Sequence, residues 1–194
     1  VSRLAIIPDA RIPYYCPYKD CGHPIAEEER ARKTHPFRCS NPMLERPHLI
    51  FISPNPVSVH MLFVRLPDGR LGVCMGRRGL KHEPAYGKWS LPSGFIEAET
   101  GFEAALDEFR EELLVDISNI PVEHVAEYYD ASTFCSLHFY AGLWPQAEPP
   151  PLQITRESSE VKIFPFDELP EDLAFSYQAE IIRRVAAQHF DNKL

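Results

Sequence analysis

The chain has 194 residues, 44% of them hydrophobic and 25% charged, with a formal net charge of −8. This length and balance describe a globular chain with room for one full core and a small appendage. Its negative charge and scattered basic residues argue against duplex DNA as a partner, and no apolar run is long enough to cross a bilayer. The opening VSRLAIIPDARIP lacks a basic-then-apolar leader, so a cytoplasmic location is expected.

The first candidate site lies near the start. Of five cysteines, Cys74 and Cys135 fall in apolar, strand-like runs and read as small core residues. The other three, Cys16, Cys21 and Cys39, cluster in YYCPYKDCGHP and THPFRCSNP. The odd count argues against a disulfide scaffold. With His35 they spell C-x4-C-x13-H-x3-C, a donor set suited to a structural, tetrahedral Zn2+. His23 is an alternative fourth ligand. A proline-rich loop with incidental cysteines is the competing reading, because the pattern is less specific than paired CxxC motifs.

Residues 40–57 read as a linker with a first strand at HLIFIS. VSVHMLFVRL and LGVCMGRR then form a hairpin about Asp68-Gly69, apolar enough to be buried on both faces of a sheet. Arg77, Arg78, Lys81 and Lys88 follow. They suit either phosphate binding or a solvated loop.

The stretch GKWSLPSGFIEAETGFEAALDEFREELLV, Gly87 to Val115, organises the rest. It reads as a short strand, a tight loop at Pro92-Ser93-Gly94, and a helix. Ala105, Leu106, Phe109 and Leu113 form the apolar stripe of that helix. Glu108, Glu111 and Glu112 fall at i, i+3 and i+4 on another face, so three carboxylates lie within reach of one another. Such a set repels itself at neutral pH unless it is solvated or neutralised by a hard divalent cation.

Residues 87–115 resemble the signature of the Nudix family, G-x5-E-x7-R-E-U-x-E-E-x-G-U, with U a bulky aliphatic residue. Gly94, Glu99, Glu108, Glu111, Glu112 and Val115 stand at matching positions, and Phe109 stands at a U position. Gly87, Trp89, Leu91 and Pro92 resemble the usual approach, and SEVKIFPFDELPEDLAFSYQAEIIRRVAAQHF resembles the closing strand, loop and helix. Three positions depart from the pattern. The loop between Gly94 and Glu99 is one residue short, Asp107 replaces the arginine, and Leu114 replaces the second glycine.

The resemblance implies an α/β/α sandwich with a mixed sheet over residues 46–194, preceded by a zinc-ribbon-like segment over 1–45. It implies a Mg2+- or Mn2+-dependent pyrophosphatase that cleaves a nucleoside diphosphate derivative such as NADH, ADP-ribose or a nucleotide sugar. Glu108, Glu111 and Glu112 would hold the metal, with backbone at Ser93 and Gly94 and support from Glu99. Glu157 and Glu160 are the candidates for the general base. Tyr128, Tyr129 and Phe134 could stack on a base, but aromatics in a strand are more often core, and Trp89 and Phe95 likewise read as packing anchors. Homodimers are a common expectation in the family. Asp107, Leu114 and the short loop also suit a second reading, a Nudix-fold binding or regulatory module with impaired catalysis.

Overall fold

Regular structure is sparse before residue 55. The computed structural model describes residues 7–34 and 36–191. Over the first part of the chain it contains helix α1 (Glu27–Ala31) and the strands β1 (Phe37–Arg38) and β2 (Leu49–Ile50). The two strands form an antiparallel ribbon with Phe37 opposite Ile50. Only Leu49-Ile50 of the expected HLIFIS strand is built. The core here is small: Ile7, Ile12, Ile25, Phe37, Ile50 and Phe134 pack with Cys16 and Cys39. So little apolar area gives limited stability, the circumstance in which small folds recruit a metal.

The chain divides into two compact units, Val1–Asn55 with Tyr129–Cys135, and Pro56–Tyr128 with Ser136–Leu194. The second unit holds β3 (Asn55–Arg65, from its second residue), β4 (Leu71–Arg78), β5 (Trp89–Ser90), β6 (Ser93–Phe95) and α2 (Gly101–Leu113). It continues with most of β7 (Val122–Asp130) and β8 (Cys135–Leu143), then β9 (Ser158–Pro165) and α3 (Tyr177–Val185). The strands make one sheet in the order β5-β4-β3-β8-β7, with β6 on β3 and β9 on β4. This is the α/β sandwich with a mixed sheet expected from the sequence.

The expected hairpin forms, with Phe63 opposite Val73 and Arg65 opposite Leu71. Seven consecutive residues of β3 and six of β4 are buried, as strands covered on both faces require. Helix α2 starts at a capping box: Thr100 Oγ1 accepts the Glu103 N–H at 3.3 Å, and the Glu103 carboxylate accepts the Thr100 N–H at 2.9 Å. The helix buries Ala104, Ala105, Phe109 and Leu113 against a cluster that includes Leu62, Val64 and Ile117.

Where the family pattern has a glycine, Leu114 ends α2 in the left-handed conformation, φ 54° and ψ 35°, and donates to the Arg110 carbonyl at 3.0 Å. The missing glycine therefore leaves the helix end unchanged in geometry but strained. Because Leu114 is 49% exposed, Leu114→Gly is expected to raise stability by about 1 kcal/mol, read as a higher melting temperature. An equal or lower one would show that no strain resides there. Among the described residues, no helix is long and apolar enough to cross a membrane.

Candidate active site and metal centres

Two groups of potential ligands lie in the stretches that the sequence singles out, one in each unit. In the first, Cys16, Cys21, Cys39 and His48 hold their donor atoms within 4.8 Å of one another. Cys21 Sγ lies 3.7 Å from Cys39 Sγ, and Cys16 Sγ lies 3.3 Å from His48 Nδ1. Tetrahedral zinc, with Zn–S of about 2.3 Å and Zn–N of about 2.0 Å, sets donor atoms roughly 3.5–3.8 Å apart, so the donor set fits that ion.

All the cysteines are free thiols. The Asn41 amide, aided by the His23 backbone, lowers the Cys21 thiol to about 6, while burial pushes Cys16 up to about 11. The sequence pattern named His35 as the fourth ligand, and His35 lies outside the described residues. The fourth donor brought to the cysteines is His48. The Cys39 N–H donates to the His48 carbonyl at 3.0 Å, and the Tyr18 ring stacks on its imidazole at 4.3 Å. His23 contributes through its backbone, whose carbonyl accepts the Cys16 N–H at 2.8 Å.

The second group forms where α2 faces the loop ahead of it. The Ser93 N–H donates to Glu112 Oε1 at 2.9 Å. Gly94 lies so close to Glu108 that an added Cβ would overlap its carboxylate. This contact explains the glycine, since nothing larger leaves the carboxylate in place. Burial, aided by Glu111 and Glu157, raises the Glu108 carboxyl to about 7. Burial likewise raises Glu112 to about 8, with Glu108 and Glu157 adding repulsion and Arg78 opposing it. Among the described residues neither carboxylate is in a salt bridge, and Glu111 is exposed beside them. Carboxylates that are desolvated and mutually repelling, beside a glycine cradle, have the donor chemistry of a site for a hard divalent ion.

The other predicted residues separate. Glu157 is within electrostatic range of both Glu108 and Glu112, whereas Glu160 pairs with Arg77 at 3.4 Å and Lys162 at 3.6 Å. The Glu99 carboxylate turns onto its own loop and accepts the Ala98 N–H at 3.0 Å. Thr155, which the sequence did not single out, joins the two ends of the site. Its Oγ1 donates to the Glu112 carbonyl at 3.2 Å and accepts the N–H groups of Glu157 at 3.1 Å and Ser158 at 3.0 Å.

Asp107, at the arginine position, pairs with Arg110 on the exposed helix face. That contact directs the Arg110 side chain to Asp107 instead of to a carboxylate ligand. Arg77 also bonds Asp172, and Arg78 bonds Glu83 at 2.8 Å, which leaves Lys81 and Lys88 as the exposed cations of the basic cluster. His60, fully buried against Phe109, is kept neutral by burial, at about 3. Of the expected anchors, Trp89 is buried, but Phe95 is 58% exposed and packs no core. Its β6 strand lies on β3 with Phe95 opposite Val57, and its side chain faces outward. Phe134 is core, not a stacking surface, while Tyr128 lies against Tyr177 at 4.5 Å.

This loop–helix pairing of a glycine with clustered carboxylates is the candidate active site, and the class that the fold defines is that of hydrolases acting on phosphorus anhydrides. Residues 54–185 match the family model for the NUDIX domain, and the chain belongs to that family. Many solved structures share its fold, three of them as follows. The NUDIX domain of Shewanella oneidensis NrtR complexed with ADP ribose is 23% identical, with a TM-score of 0.57, over 71% of this chain and 89% of that one. A NUDIX hydrolase from Nitrosomonas europaea is 20% identical, with a TM-score of 0.56, over 91% and 92%. A C. elegans Ap4A hydrolase binary complex is 13% identical, with a TM-score of 0.56, over 68% and 96%. No curated protein matches the chain.

Proposed function

We propose that the chain is a divalent-metal-dependent pyrophosphatase that cleaves the diphosphate linkage of a nucleoside diphosphate derivative, with the ADP-ribose type first among the candidates. The observation that carries the reading is the pair Glu108 and Glu112, half-buried one helical turn apart against Ser93 and Gly94 and, among the described residues, without a salt bridge. Glu108, Glu111 and Glu112 would hold Mg2+ or Mn2+, together with loop backbone at Ser93 and Gly94. When bound, the metal supplies neutralisation of the diphosphate and activation of water. Glu157 is the better placed of the two base candidates, because Glu160 is engaged by Arg77 and Lys162. Lys81 and Lys88 are free to meet phosphate oxygens. Tyr128, Tyr177 and Phe175 form an aromatic series, with Phe175 stacked on Tyr177 at 5.6 Å. This surface is suited to a nucleobase. The N-terminal donor set would hold one structural Zn2+ through Cys16, Cys21, Cys39 and His48, which leaves no position open for substrate.

The substrate reading is tested by incubating the purified chain with ADP-ribose, NADH, a nucleotide sugar and Ap4A, with Mg2+ or with EDTA. Metal-dependent release of a nucleoside monophosphate from at least one of them is expected. No release from any, with tight binding retained, would support the second reading, a binding module. Asp107, with its outward pairing to Arg110, is the feature that favours that alternative. The zinc reading makes a separate prediction. Elemental analysis is expected to find at least one zinc per chain, and strong chelation to unfold the first unit, read as lost amide protection in residues 7–34 and 36–55. A zinc content near zero in protein purified without chelator would sink it.

A further inference from the structure

The sheet carries another donor group that neither the carboxylate site nor the cysteine cluster uses. In β8, alternation puts Ser136, His138 and Tyr140 on one face, while Leu137, Phe139 and Ala141 turn into the core. In β7, His124 and Glu127 are three residues apart, a spacing that a strictly pleated strand sends to opposite faces. Strand β7 does not alternate strictly: residues 123 and 124 are exposed, 125 and 126 half-buried, and 127 to 129 exposed again. As a result both side chains reach the same neighbour. Glu127 Oε1 lies 3.8 Å from His124 Nε2 and 3.6 Å from His138 Nδ1, and the three donor atoms are all within 4.8 Å of one another.

Two imidazoles and a carboxylate around a zinc ion, with bonds of about 2.0–2.2 Å, stand roughly 3.3–3.5 Å apart. The observed spacings exceed this by a few tenths of an ångström on two edges, within the reach of exposed side chains. The rings are also oriented. Ser136 Oγ lies 3.5 Å from His138 Nε2, on the far side of that ring from Glu127, and the Tyr140 ring packs against His124 at 5.3 Å. Such outer contacts fix which nitrogen faces an ion.

We propose that His124, Glu127 and His138 form a binding site for one divalent first-row transition-metal ion, Zn2+ being the natural occupant. The donor chemistry separates this site from the other two. Imidazole selects zinc, nickel or copper over the hard cations that suit an all-carboxylate site, and there is no thiolate here. Three protein ligands leave at least one coordination position open to water or to an outside donor. Because the ligands come from both strands, the ion would staple β7 to β8. The tie would extend towards α2, since Tyr140 touches His124 on one side and Phe102 at 6.3 Å on the other. A Cβ at Gly101, the first residue of that helix, would press on the Tyr140 hydroxyl.

The test titrates Zn2+ into the full chain, purified with its endogenous metal and kept in excess Mg2+ so that the carboxylates are occupied. Long-range 1H–15N spectra read the histidine rings. Saturable shifts at the His124 and His138 ring nitrogens are expected. His138→Ala and, independently, Glu127→Gln should each weaken that binding about tenfold or more. The three side chains are partly or largely exposed, so the variants should melt with the parent before zinc is added. Ring signals that stay fixed up to millimolar Zn2+ would overturn the proposal, as would an affinity left unchanged in both variants.

Discussion

Gly94→Ala is expected to lower kcat about a hundredfold while leaving the melting temperature close to that of the parent. The backbone at residue 94 is not in the left-handed region, so alanine meets no conformational penalty there. The conflict is with a side chain: the new Cβ would overlap the Glu108 carboxylate, with Oε1 and Cδ its nearest atoms. A carboxylate at the end of a flexible stem can swing away, so the fold tolerates the methyl group. The displaced carboxylate is one of the proposed metal ligands, and a misplacement of about 1 Å at a reacting centre costs about two orders of magnitude in rate. Steady-state kinetics at saturating Mg2+, with a thermal melt of the same sample, would check it. Parental kcat in the alanine variant would mean that Glu108 holds no metal.

The second large effect is on pH. Glu108 and Glu112 stand at about 7 and about 8, above the ordinary 4.5, chiefly because burial disfavours their charged forms. The folded protein therefore keeps protons that the unfolded chain gives up. The stability these groups contribute is fully present below about pH 4.5 and is lost as pH rises through 7 to 8. Metal-free protein in EDTA is thus expected to melt progressively lower as pH rises from about 5 to about 8, by up to roughly 1.4 kcal/mol for each unit of pKa displacement at Glu112 and by less at Glu108, where solvent screens the charge.

Divalent metal acts in the opposite sense. It binds the ionised pair, so its affinity should rise about tenfold per pH unit for each proton displaced, until the carboxyls are already charged. Glu112→Gln removes the group with the larger displacement, and both slopes should become shallower. Melts across pH with and without Mg2+, with Mn2+ titrations alongside, measure the two effects. A flat melting profile in EDTA would show that the carboxyls are not held protonated.

The catalytic unit was largely legible because its signals are local. A hairpin turn at Asp68-Gly69, an apolar stripe at helical spacing and a loop–glutamate pattern are each read within a few residues, and each is where the sequence puts it. What escaped depended on distance along the chain. His48 follows Cys39 by nine positions, at the start of the run HLIFIS that reads as a strand, and only the β1–β2 ribbon returns it to the thiols. Glu157 and Glu160 look equivalent in sequence. They part because the register of β9 on β4 sets Glu160 opposite Arg77. Phe95 reads as a core anchor by composition, yet β6 is a short edge segment and turns it outward. His124, Glu127 and His138 show no motif at all, since an irregular strand and its neighbour must pair before they meet.

Thr155 gives the site a mechanical property. A hydroxyl has one proton to donate and two lone pairs to accept with, and Thr155 has three partners: the Glu112 carbonyl and the N–H groups of Glu157 and Ser158. Its capacity is full. The end of the acid-bearing helix and the segment carrying the nearer base candidate therefore share this side-chain pin across 43 positions of sequence, beside the Gln153 N–H that donates to the Leu113 carbonyl at 3.0 Å. Thermal drift in one is transmitted to the other, so the spacing between the proposed ligands and the base candidate is kept even while both segments move. Valine, nearly the same shape, would fill the space and remove the side-chain part of the clamp, leaving the Gln153 N–H on the Leu113 carbonyl.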